Sequence, residues 1–253
     1  MHRVPPAAAL WLATLALAGA GGRDAAAQTP PDDWSAQLEF GLNGASGNTS
    51  FSVLRTGGSL KRLETESFEF DLSVLVRYGK NEETVIANDQ RAALKFDWRP
   101  QATFSPFTFV TTSRDRLRRL DAKVNAGAGL KWAAHREEST NLDLSFAALW
   151  DYENFDLVAG STASETSSVA RWSGRIELDH SFDSGAKFEH TTHWLPEFTA
   201  FGDYQIEATS SVTTNLLTRL SVVIQHEFLY DSVPPPDVGK RDQKYSVVLR
   251  VSL

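Results

Sequence analysis

Residues 245–253 read Tyr245-Ser-Val-Val-Leu-Arg-Val-Ser-Leu253. Every second residue is apolar or aromatic: Tyr245, Val247, Leu249, Val251 and Leu253. Between them lie Ser246, Val248, Arg250 and Ser252. Successive Cβ atoms of an extended chain point to opposite sides, so this period of two separates the sets onto opposite faces of a strand. One face requires an apolar surrounding and the other mostly accepts water.

The same period runs back through the chain. Trp34, Ala36, Leu38, Phe40 and Leu42 alternate with Ser35, Gln37, Glu39, Gly41 and Asn43 in a first strand, followed by the turn cluster Gly44–Ser50. A second strand over about Phe51–Leu63 loses the pattern around Arg55–Gly58, which predicts a bulge. The third sets Phe68, Phe70, Leu72, Val74, Val76 and Tyr78 against Glu69, Asp71, Ser73, Leu75 and Arg77, and Gly79–Ala87 reads as a polar loop. The fourth sets Ala92, Leu94, Phe96 and Trp98 against Arg91, Ala93, Lys95 and Asp97, closed by Pro100. The fifth, about Phe104–Ser113, is read with Phe107 and Phe109 outward, and Arg114–Asp121 as a charged connection.

The sixth strand carries Ala122, Val124, Ala126, Ala128, Leu130 and Trp132, and the seventh Leu142, Leu144, Phe146, Ala148, Trp150 and Tyr152. After a loop at Asn154–Ser168, the eighth carries Trp172, Ile176, Leu178 and Phe182, and Asp183-Ser-Gly185 is a tight turn. The ninth carries Phe188, His190, Thr192 and Trp194. The tenth carries Ile206, Ala208 and Val212, and the eleventh Leu220, Val222, Ile224, His226, Phe228 and Tyr230. With the terminal strand, this makes about twelve, an even number suited to an up-and-down barrel with both ends on one side. Placing the start of the first strand on the periplasmic side puts Asn154–Ser168, Pro196–Asp203 and Ser232–Arg241 outside. The short Asp183–Gly185 and Asn215–Thr218 turns then fall inside.

Composition fits a barrel. The chain of 253 residues is 42% hydrophobic and 23% charged, as expected where only half of each strand meets lipid. A net charge of −7 argues against a nucleic-acid partner. The absence of cysteine removes disulfides, thiol catalysis, cysteine–zinc sites and a lipidated N-terminal cysteine. Residues 1–27 read as a secretory signal peptide: basic His2 and Arg3, an apolar run Ala7–Ala20, and an A-x-A site ending at Ala27, with cleavage after Ala20 as the alternative. Residues 28–33 form a flexible leader and residues 34–253 the barrel. Outside the leader, Trp34, Trp98, Trp132, Trp150, Trp172 and Trp194 all fall on the apolar face near strand ends. That is where indole rings sit at membrane interfaces.

The other face carries both signs of charge, among them Glu39, Arg77, Arg91, Lys123, Asp151, Arg171, Glu207, Glu227 and Arg250. So many charges need a lumen that is wet or ion-paired, because an unpaired buried charge is costly. Passage of small polar solutes and a braced structural barrel both follow. A lipid-modifying enzyme is the alternative, and it needs a nucleophile–base pair on the lipid-facing wall or at the rim. The candidate bases are His180, His190, His193 and His226. His180 and Ser181 are adjacent and so point apart, and Thr192 beside His190 is a poor nucleophile. The step from His190 to His193 sends their rings to opposite sides, against a metal pair. No catalytic, cofactor-binding or metal residue is assigned.

The terminal strand resembles those of bacterial outer-membrane barrels, which the assembly machinery reads from an aromatic near the start to an apolar last residue. Phe is usual there, and Leu253 stands in its place. Gly41–Ser50 with Gly-Asn-Thr-Ser at 47–50, Asn88, Gly127-Ala-Gly129 and Tyr230-Asp-Ser-Val-Pro234 make the chain similar to the salt-induced outer membrane protein family, a domain family without assigned activity. The resemblance implies an all-β transmembrane barrel in a Gram-negative outer membrane, exported through the periplasm. It implies nothing about substrate. The expected partners are outer-membrane lipids, the assembly machinery through Tyr245–Leu253, and small polar solutes.

Overall fold

The computed structural model describes residues 34–45, 51–62, 67–157, 161 and 164–253. The signal peptide, the leader, the Gly47–Ser50 motif and much of the Asn154–Ser168 loop lie outside the described residues. The strands are β1 (Trp34–Ala45), β2 (Phe51–Arg62), β3 (Phe68–Asn81), β4 (Thr84–Trp98), β5 (Phe104–Asp115), β6 (Leu120–Arg136), β7 (Thr140–Phe155), β8 (Thr166–Ser181), β9 (Lys187–Pro196), β10 (Tyr204–Leu217), β11 (Leu220–Asp231) and β12 (Arg241–Ser252). Each pairs antiparallel with the next, and β12 returns to β1, so twelve strands close into an up-and-down barrel. Closure leaves no sheet edge, as a β-structure in hydrocarbon requires.

The closing seam runs from Gln37 opposite Ser252 to Phe40 opposite Leu249, extended by a 2.9 Å hydrogen bond from Leu253 N–H to Ala36 O. The last strand therefore seals against the first. It does so over four residue pairs, against twelve between β1 and β2.

The wall is inverted relative to a soluble barrel. Leu42 is 69% exposed, Ile224 59% and Phe146 57%, all on the outside. Inside, Val223 is fully buried, and Asp97 and Asp151 are 1% exposed. An apolar outer wall around a charged interior suits lipid outside, and the chain is a transmembrane β-barrel. Aromatic contacts gather toward both ends. Where β1 begins (the lower end), Trp34 meets Phe70 at 6.2 Å and Phe104 stacks on Trp132 at 6.4 Å. At the upper end, Trp194 meets Phe201 at 6.1 Å and Tyr204 meets Tyr230 at 5.6 Å. Trp172 lies in mid-strand, not near a strand end. Its ring lies between Phe146 at 5.1 Å and Phe198 at 4.0 Å. It is level with the top of the short β9, where Phe198 N–H bonds to Ala170 O at 2.9 Å and folds the β9–β10 loop back on the wall.

Several expectations are corrected. Phe107 and Phe109 face the lumen, stacked at 6.0 Å, with Lys95 Nζ 5.6 Å from the Phe107 ring. Their register partners are Gly129 and Gly127 on β6, which leave room for inward rings; a Cβ on Gly127 would come within 2.9 Å of Phe109. The bulge at Arg55–Gly58 is absent, and β2 keeps unbroken register with both neighbours. The pattern slips there because Thr56 and Gly58 occupy the outward positions opposite Phe40 and Leu38, where apolar side chains would continue it. Gly79–Ala87 is a hairpin, not a loop, since β3 continues to Asn81 and β4 starts at Thr84. The turn is made by Glu82, at φ 52°, and Glu83. One outer connection is therefore as short as any inner one. Half of Arg114–Asp121 is strand, since β5 runs to Asp115 and β6 starts at Leu120, and the connection is a one-turn 3-10 helix at Arg116–Arg118 followed by Arg119. Register shifts fall instead near strand ends, at Gly79/Lys80, Ser113/Asp115, Leu120/Ala122, Ala133/His135 and Asn215/Leu217.

Candidate functional site

Inward alternation delivers charges from every part of the wall into one lumen, and there they bridge strands that are not neighbours. Arg77 on β3 donates Nε to Asp89 at 2.8 Å and both terminal nitrogens to Glu227 on β11, at 2.8 and 2.9 Å. Lys244 on β12 reaches across to Asp89 at 3.3 Å and Asp115 at 3.1 Å on β4 and β5. Arg91 on β4 meets Glu207 on β10 at 3.3 Å. These two strands are six apart either way round the ring, so this pair spans the full diameter. Nearer the seam, Arg250 holds Glu39 at 2.7 Å, and Arg55 joins Glu39 at 3.1 Å to Gln225 at 2.8 Å.

On the other side of the lumen, Lys123 donates to Gln205 at 2.5 Å and lies 3.0 Å from Glu153, while Gln205 Nε2 donates to Glu153 at 3.3 Å. Arg171 is held by Asp151 at 2.8 Å and Asp203 at 2.9 Å. Toward the lower end, Asp97 accepts from Lys95 at 2.8 Å and Lys131 at 2.9 Å. The 3-10 turn brings a brace to the upper mouth. Asp115 Oδ1 accepts from Leu117 N–H at 3.1 Å and Arg118 N–H at 3.3 Å, capping the turn. Arg118 then reaches Asp242 at 3.0 Å and Asp231 at 3.6 Å on the far wall.

Between the braces lies a cavity of about 420 Å³. Seven Arg and Lys side chains and six Asp and Glu line it, so neither sign of charge dominates. The inner wall also carries buried Phe107, Leu149, Val223 and Val248. Opposed charges at this density can hold water and small polar molecules, and the cross-links restrict its bore.

The candidate histidines separate. His193 lines the lumen cavity. His180 bonds Thr140 Oγ1 at 2.8 Å and meets Phe182 edge-on at 4.6 Å. His190 and His226 face outward. His190 Nδ1 lies 2.8 Å from Ser210 Oγ, and its Nε2 lies 2.8 Å from Thr192 Oγ1. His226 stacks on Tyr245 at 4.7 Å. Ser210 does not show itself as a partner of His190 along any one strand. The β9–β10 register, which sets Ser210 opposite His190, supplies it. Among the described residues, no group of three or more His, Asp or Glu side chains is arranged to hold a metal ion.

The chain is similar in fold to several solved barrels. The NanC porin is 10% identical with a TM-score of 0.46, covering 87% of this chain and 97% of that one. An outer membrane channel from Pseudomonas putida F1 is 13% identical with a TM-score of 0.47, covering 91% and 98%. The translocator domain of the autotransporter NalP from Neisseria meningitidis is 8% identical with a TM-score of 0.41, covering 87% and 86%. No curated protein matches the sequence. A family model matches residues 38–253, nearly the whole barrel, and its description names neither an activity nor a response to salt. The chain thus belongs to the family described as protein of unknown function, DUF481.

Proposed function

We propose that this is an outer-membrane barrel that admits small polar solutes through a lumen held narrow at rest by its own ion pairs. The observation that carries the reading is the cross-lumen bracing of Arg77 to Glu227, Lys244 to Asp89 and Asp115, and Arg91 to Glu207. Near-balanced charge along the cavity favours small neutral or zwitterionic solutes over one class of ion. In this reading the chain crosses the periplasm behind its signal peptide, and the assembly machinery engages Tyr245–Leu253. Lipid then surrounds the apolar wall. A purely structural barrel is the second reading, favoured by the buried Phe107, Leu149, Val223 and Val248, which pack the lumen where a wide pore would hold water.

Planar-bilayer conductance of the refolded barrel separates the two. For a gated conduit, the native chain conducts weakly, and Arg77→Ser, Arg91→Ser and Lys244→Ser combined raise conductance severalfold. A combined variant that folds yet stays silent would overturn passage and leave the structural barrel.

A further inference from the structure

On the outer wall, four successive strands contribute one row of side chains: His190 on β9, Ser210 on β10, His226 on β11 and Tyr245 on β12, each opposite the next in register. All four project to the lipid side. Along these strands the outward residues toward the upper end are Thr192 and Trp194, Ala208 and Ile206, Phe228 and Tyr230, and Gln243 and Arg241, and those next toward the lower end are Phe188, Val212, Ile224 and Val247. The row therefore lies where the apolar lower wall gives way to a mixed upper wall, and ionisable side chains at membrane depth mark functional sites. Their hydrogen bonds are specific. His190 Nδ1 stands 2.8 Å from Ser210 Oγ, and Nε2 stands 2.8 Å from Thr192 Oγ1. With the ring proton on Nε2 and held by Thr192, Nδ1 is free to accept the Ser210 proton, the arrangement of an activated serine.

A groove opens beside Ser210, lined by Phe188, Val212, Ile224, His226, Tyr245 and Val247. On β9, Trp194 and Thr192 stand above the hydroxyl–imidazole pair, and the apolar part of the groove lies below it, where it can take an acyl chain. Beside the groove, His226 Nε2 lies 3.3 Å from Gln243 Oε1, and the Tyr245 hydroxyl donates to the same oxygen at 2.7 Å.

We propose that Ser210 and His190 form a catalytic pair on the lipid-facing wall that hydrolyses an acyl ester of a glycerophospholipid. Ser210 Oγ adds to the ester carbonyl carbon while its proton passes to His190 Nδ1. The tetrahedral adduct expels the glycerol oxygen, which takes that proton and leaves as the lysophospholipid. Water, deprotonated by the same imidazole, then cleaves the acyl-serine to a fatty acid and returns the proton to Ser210. One ester and one water become one acid and one alcohol, and no cofactor is needed. The inference depends on the outer wall alone and stands apart from passage through the lumen.

The test uses the full mature chain refolded into phosphatidylethanolamine–phosphatidylglycerol vesicles, with folding followed by heat-modifiable migration. Fatty acid and lysophospholipid release should fall on the order of 100-fold or more in Ser210→Ala and in His190→Phe. It should be unchanged in His180→Phe, which alters an outward histidine elsewhere. A long-chain fluorophosphonate should modify Ser210 in the native chain and leave it unmodified in His190→Phe. Equal release from the native chain and Ser210→Ala would overturn the proposal. A Ser210→Ala change confined to how barrels associate in the vesicle would overturn it too, and would assign the row to a barrel–barrel contact.

Discussion

Arg77→Leu removes the most enclosed of three cross-lumen braces: Arg77 to Glu227, Lys244 to Asp89 and Asp115, and Arg91 to Glu207. The Arg77 side chain is 10% exposed, Asp89 9% and Glu227 22%. Breaking a buried ion pair by deleting one partner costs about 3–5 kcal/mol, because the other charge is left uncompensated. Here the two orphaned carboxylates fare differently. Asp89 keeps Lys244 at 3.3 Å, whereas Glu227 keeps, among the described residues, the Gln225 amide at 3.1 Å and the more distant charge of Arg55. One charge is thus stranded, not two, which places the expected cost at the low end, about 3 kcal/mol, or roughly two powers of ten in the folding equilibrium.

Arg91→Leu is the internal control. Arg91 is 51% exposed and meets Glu207 at 3.3 Å, so its removal should cost less than about 1 kcal/mol. Glu227→Leu added to Arg77→Leu should recover part of the loss, since it removes the stranded charge. Urea titration of each variant refolded into bilayers, read by heat-modifiable migration, gives the three numbers. Equal costs for Arg77→Leu and Arg91→Leu, or no recovery in the double variant, would refute the view that these charges work as enclosed cross-braces.

Leu144→Arg, on the outer wall, should cost roughly 2–4 kcal/mol of bilayer folding, the penalty for a cation at mid-depth on a barrel's lipid face. Asp143→Asn, facing the lumen, should cost much less, because its contacts with Lys131 and Arg136 are long, at 4.0 and 3.8 Å; the same titration checks both. Deleting Val251–Leu253 removes two of the four seam pairs and the Leu253–Ala36 hydrogen bond, and backbone groups exposed to hydrocarbon cost several kcal/mol each. Pulse-labelled cells should show assembly blocked by that deletion and intact after a comparable deletion within the Asn154–Ser168 loop.

The alternation of apolar and polar residues made the strand number and the facing of most of the wall legible, because lipid outside and charge inside impose a period of two. It failed where that contrast weakens. Phe107 and Phe109 read as outward because they are apolar, and only the opposing Gly127 and Gly129 reveal inward space for them. Around Asn81–Thr84 the strand end at Lys80 and Asn81 and the turn at Glu82 and Glu83 make one polar run without the two-faced signal, so a hairpin resembles a loop. The braces were legible as charges but not as pairs. Arg77 and Glu227 are 150 residues apart, and Arg55 and Gln225 are 170 apart; only the closed strand order brings them together. Ser210 and His190 meet through cross-strand register, which residue spacing along one strand does not encode.

The central claim is that adjacent residues of one strand meet lipid and lumen in turn. The chain lacks cysteine, so single cysteines at Ser145, Phe146, Ala147 and Ala148 of β7 can each carry a fluorophore. Quenching by lipids with brominated acyl chains then reads the facing directly in refolded vesicles. Phe146 and Ala148 are exposed on the outside, whereas Ser145 and Ala147 are 8% and 3% exposed within the barrel. The account predicts strong quenching at Phe146→Cys and Ala148→Cys and little at Ser145→Cys and Ala147→Cys. Uniform quenching at all four positions, or the opposite alternation, would contradict it.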